Sequence, residues 1–119
     1  VTEVMNPVDI ESAIREVANR IANGVKVCSE RYKAFLAADR DFDYAFAQAY
    51  MAHEGAAHEK KYAATLATSG EREARDVADA AYKFAERKHR ALQDELRALQ
   101  SVGASIRSMY AVAGRAEGA

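Results

Sequence analysis

His53 and His58, each followed by a glutamate, come nearest in this chain to a metal-ligand pattern. Helix-borne zinc sites of hydrolases place two histidines four residues apart, so that both imidazoles meet one ion. Here the spacing is five, and position 57, where the second ligand would belong, is Ala57. On a helix that spacing turns the two rings about 140° apart. The reading is no metal, with Glu54 and His58, four apart, as a surface pair. Cys28 has Lys26 and Arg31 nearby, cations that favour a thiolate, but no second cysteine, and it lies on an apolar stripe. A small buried hydrophobe is expected there. His89, between Ala85 and Leu92 on another stripe, reads as a partly buried structural histidine. The chain carries no glycine-rich phosphate loop, no nucleophile elbow and no nucleotide fingerprint. No catalytic residue, and no cofactor, is therefore expected.

What is left is chemistry of binding. Lys60 and Lys61 form one small basic group, and Arg87, Lys88 and Arg90 form another. Both could touch phosphates, and Tyr62 and Tyr82 beside them could stack on bases. Charge is uneven along the chain: residues 1–80 carry 10 Lys and Arg against 14 Asp and Glu, residues 81–119 carry 7 against 4, and the total is −1. A single copy at −1 has little long-range pull on nucleic acid. An assembly of copies repeats a weak patch and adds avidity.

The elements that must carry these residues are helices. Of 119 residues 27 are alanine, one is proline, none is tryptophan, and Val, Ile and Thr together number only 16. That inventory favours helix and gives closely packed rods with few large side chains. No window approaches the roughly 18 consecutive apolar residues of a membrane span. One cysteine and no leader-like start make the cytoplasm the expected setting.

Asn6 as cap, Pro7 in the first turn and Asp9 near the positive end of the dipole mark a helix start. Ile10, Ile14, Val17 and Ile21 give it one apolar face, and Gly24 suits a C′ position, so helix one is expected over about 7–23. Gly24 as an interior glycine would instead make one longer rod. A second, long helix is expected over about 28–66, with Cys28, Tyr32, Phe35, Phe42, Phe46, Ala49 and His53 along its stripe. Much of its length, about 55 Å at 1.5 Å per residue, would need partners. Thr68-Ser69-Gly70 is the break at which the chain reverses. A C-terminal helix over about 73–113 has the most regular pattern: Ala85, Leu92, Leu99, Ile106 and Ala113 lie seven apart, with Leu96, Gly103 and Tyr110 between them. The expectation is a single all-α domain over 1–119. Its three principal helices form an extended helical hairpin with a coiled-coil-like C-terminal seam, and copies assemble through that seam.

The long helix from Tyr32-Lys33-Ala34-Phe35-Leu36 to Lys60-Lys61, the acidic connector with its glycine, and the terminal helix through Ala98-Leu99-Gln100-Ser101-Val102-Gly103-Ala104-Ser105-Ile106-Arg107 to Ala113-Gly114 together resemble the UvsY-type recombination mediators of tailed phages. That resemblance implies a non-enzymatic homo-oligomer, of the host cytoplasm if phage-encoded, that binds single-stranded DNA. It also implies two protein partners, a RecA-like recombinase and the single-strand-binding protein it displaces. In those terms Lys60 and Lys61 contact DNA, while Leu92, Leu96, Leu99, Ile106 and Tyr110 support assembly. Asp39, Asp41 and Asp43 depart from the lysine-rich long helix of that family. The alternative is a helical adaptor or inhibitor that docks its acidic portion on a host or phage protein without binding DNA.

Overall fold

A computed structural model describes residues 6–117, with side chains through residue 115. It is all-α: α1 is Pro7–Ala52, α2 is Ala57–Ala67 and α3 is Ser69–Glu117. The start of α1 is built as its residues suggest. The Asn6 carbonyl accepts from the Ile10 amide at 3.1 Å, and the Asn6 side-chain oxygen accepts from the Asp9 amide at 2.9 Å. Asp9 returns a carboxylate oxygen toward the Asn6 amide at 3.4 Å, the reciprocal arrangement of a capping box.

Three boundaries differ from those expected. α1 does not stop near residue 23 but runs through Gly24, which has no positive φ and is an interior helical residue. The expected long helix over 28–66 is divided, because 53–56 is not helical. Gly55 is the weak helix former there, and Ala56, extended at φ −65° and ψ 150°, starts α2 without a side-chain cap. The break expected at Thr68-Ser69-Gly70 narrows to Thr68 alone, since Ser69 and Gly70 already belong to α3. Thr68 serves both helices. Its amide and hydroxyl donate to the Ala64 carbonyl, at 3.1 and 2.7 Å, and its own carbonyl accepts from the Arg72 amide at 3.0 Å.

Contacts group the chain into two compact units, one joining the start of α1 through Val25 to α3 from Arg87 onward, the other being Lys26–Glu86. In the first, Ile10 and Val17 of α1 and Leu92 and Gly103 of α3 are buried. Ile10 lies against Gly103, and Gly24 against His89. Fourteen residues forward along α1 correspond to fourteen backward along α3. The helices are therefore antiparallel and meet at a heptad period, as in a coiled coil.

In the second unit the rings of Tyr32 and Tyr82 meet at 5.0 Å between centroids. Seven residues on along α1 and seven back along α3, Asp39 meets Arg75 at 3.7 Å. The Arg75 guanidinium also lies 4.5 Å from the centre of the Phe42 ring. Phe42, Phe46 and Tyr50 continue as a ladder with centroids 6.0 and 6.3 Å apart. α2 adds a third layer to this unit, burying Ala64 completely.

Candidate functional site

Lys60 and Lys61 are neighbours on α2 and so point about 100° apart. Lys60 is half-buried, its ammonium 5.9 Å from the centre of the Tyr50 ring, and so belongs to the packing of α2 on α1. Lys61 is exposed. His58, three residues before Lys61 and four before Tyr62, shares the outward side of α2 with both and lies between them, since Lys61 and Tyr62 themselves diverge by about 100°. Tyr62 is 68% exposed. The Lys61 carbonyl accepts a hydrogen bond from the Thr65 hydroxyl at 2.9 Å, which ties the next turn down. A cation beside an exposed phenol ring is the minimal platform for a phosphate and a stacked base. Glu54 and Glu59 stand nearby, both exposed, so the face carries little net charge.

The other basic group lies on α3 where the first unit resumes at Arg87. Arg87, Lys88 and Arg90 are all exposed, and Arg90 and Glu86 are both engaged with other groups. Lys83, one turn earlier, pairs with Asp79 at 2.9 Å. The two basic groups fall in different units.

Of the residues read as supporting assembly, Leu92 is buried and Leu96, Leu99 and Ile106 are half-buried, all in the row that faces α1 of the same chain. Tyr110 is exposed and, with Met109 and Ala113, lines a shallow hollow of about 260 Å³. It lies beyond the level of Pro7, where α1 begins, because Ile10 is already opposite Gly103.

His53 follows the end of α1 and His58 opens α2, so they do not share one helix. His53 Nε2 comes 3.7 Å from Glu59, not His58 from Glu54. Among the described residues no three His, Cys, Asp or Glu gather to hold a metal, and no helix is long and apolar enough to cross a membrane. Cys28 is a half-buried free thiol. Loss of solvent contact, then the Glu86 carboxylate that takes its hydroxyl hydrogen bond, hold the Tyr82 phenol above its ordinary pKa.

The contact missed from sequence is Gly24 with His89. A Cβ on Gly24 would fall 2.8 Å from His89 Nδ1, a buried nitrogen with no hydrogen-bond partner. The glycine is what lets Nδ1 of the imidazole come this close to α1. No protein-family model, curated protein or solved structure matches this chain.

Proposed function

We propose that the chain is a non-enzymatic helical module that binds single-stranded DNA as a homo-oligomer in the cytoplasm and assists a RecA-like recombinase against single-strand-binding protein. The observation that supports this reading is the outward face of α2, where exposed His58 lies between exposed Lys61 and exposed Tyr62. A flexible strand lays a phosphate on the ammonium and a base on the ring; a duplex, its bases already stacked, gains only the phosphate contact. The role in recombinase loading rests on the family resemblance. With a net charge of −1, one copy holds a strand weakly, and the assembly supplies the avidity.

Fluorescence anisotropy of a labelled single-stranded oligonucleotide, with a duplex control, tests this. Binding is expected at about 50 mM salt and falls steeply by about 200 mM. Lys61→Glu with Tyr62→Ala is expected to weaken it at least about tenfold, since stacking alone contributes about 1–3 kcal/mol per base. No binding by the wild-type chain at the lower salt would end this reading in favour of the adaptor. One feature favours the adaptor directly: Asp41 and Tyr44, three apart, share an exposed side of α1, an acid beside an aromatic anchor suited to a basic protein partner.

A further inference from the structure

We propose that two copies of this chain exchange α1: the connector 53–56 straightens into helix, and α1 of each copy packs on α2 and α3 of the other. This deepens the assembly half of the proposed function, on which it rests, and is independent of the DNA half. It needs no new surface. The groups that meet are those already paired within one chain: Tyr32 with Tyr82 and Asp39 with Arg75 in one unit, Ile10 with Gly103 in the other. A second copy carries the same knobs, gaps and charges, so each contact is remade between copies residue for residue, and the exchange closes on two.

The connector decides between the two arrangements, and few groups hold it closed. Between Lys26 and Thr68 the chain has no proline and one glycine, Gly55, so its local preference is a single continuous helix. The closed connector interrupts that helix and leaves the last carbonyls of α1 and the first amides of α2 without intrahelical partners. Side chains do little to replace them: the last turn of α1 has no basic residue, and Ala56 starts α2 without a side-chain cap. His53 Nε2 is buried with no hydrogen-bond partner among the described residues, 3.7 Å from Glu59 Oε2. Gly55 closes on the same two groups. A Cβ there would come 2.6 Å from Glu59 Oε2 and 2.9 Å from His53 Nε2. Straightening 53–56 restores the backbone bonds at both ends, and alanine at 55 favours that helix over glycine. One substitution, Gly55→Ala, therefore works against the closed connector and for the open one.

Light scattering on the full chain, with no DNA present, begins the test. Wild type is expected at twice the 13.0 kDa chain mass at tens of micromolar. Gly55→Ala is expected to tighten the dimer at least about tenfold, and a Gly-Ser-Gly-Ser insertion after Gly55, which breaks helical continuity, to give the mass of one chain. A mixing experiment leaves the connector unaltered and so decides the matter if Gly55→Ala does not fold. Asp39→Arg and Arg75→Asp each set like charges together, whether the chain is closed or exchanged with its own kind. When the two variants are refolded together from urea, an exchanged mixed dimer sets the introduced arginine on the introduced aspartate, and native Asp39 of one copy on native Arg75 of the other. The ratio of mixed to matched dimers, counted by native mass spectrometry, is expected at least about fivefold above its statistical value. Dimers joined by an outer surface keep each repulsion inside its own chain and mix statistically. A wild-type mass other than two chains, a Gly55→Ala dimer no tighter than wild type, an insertion variant that stays dimeric, or statistical mixing would overturn the exchange. Statistical mixing of a dimer would leave the assembly itself standing, and because no readout involves DNA, failure here is distinct from failure of the α2 face to bind a strand.

Discussion

The two units close the same pair of helices by opposite means. Where α1 meets α3 beyond Arg87, a large side chain on one helix faces a glycine on the other: Ile10 on Gly103 and His89 on Gly24. Within Lys26–Glu86, large groups face each other, with Tyr32 on Tyr82 and Arg75 over Phe42, and a third helix supplies further cover. Glycine permits close backbone approach and costs about 1 kcal/mol of helix propensity, whereas aromatic pairing needs no such residue. The first unit therefore depends on shape and the second on face-to-face contact of rings and charge. That difference predicts which unit tolerates which change.

The largest effect is expected at Ile10, which is 2% exposed. Ile10→Ala should cost about 3 kcal/mol in urea denaturation followed by circular dichroism. Gly103→Leu should also destabilise, by about 2 kcal/mol, since even a Cβ there would come 2.9 Å from Ile10 Cγ2. Combining them transposes knob and gap, and the double variant should recover at least about 1 kcal/mol relative to the sum of the singles. Strict additivity would show that the two residues are not in contact.

A smaller effect is expected in the second unit. Arg75 and Asp39 are both partly exposed, so the ion pair at 3.7 Å contributes modestly, and the cation on the Phe42 ring adds a similar amount. Arg75→Ala should cost about 1 kcal/mol, with Asp39→Asn costing less because the ring contact survives. If Asp39→Asn costs as much as Arg75→Ala, the ring is not the main partner.

The smallest effect is in pH dependence. Tyr82 keeps its proton more tightly folded than unfolded, so its contribution is fully present below its ordinary value of 10.0 and is lost as pH rises through the higher folded value. Stability should therefore decline above about pH 10, and Tyr82→Phe should remove part of that slope. An unchanged slope in Tyr82→Phe would place the alkaline loss elsewhere.

The parts of the fold legible in the sequence are those with local or strictly periodic causes. Asn6, Pro7 and Asp9 announce a cap by residue type alone, and the α3 seam shows in a seven-residue spacing that the buried positions Ala85 and Leu92 follow. Gly24 was open to two readings because glycine is common at a helix end, while its actual reason is an imidazole arriving from α3, which no local window contains. The interruption at 53–56 was hidden by alanines on either side, with Gly55 the only sign of it. At the candidate site, Lys60 and Lys61 read as one patch because sequence adjacency says nothing about facing; the structure gives Lys60 to Tyr50 and Lys61 to solvent.

Thr68 has a consequence for how the α2 face would respond to a change in chain length. Because one residue ends α2 and begins α3, there is no slack to absorb a length change. Each residue inserted or lost there turns the His58, Lys61 and Tyr62 face by about 100° relative to α3, while the register of α1 on α3, held by contacts distant in sequence, stays as it is. The junction acts as a gear with discrete teeth: a single insertion or deletion would re-aim the candidate DNA surface in one step, without intermediate positions.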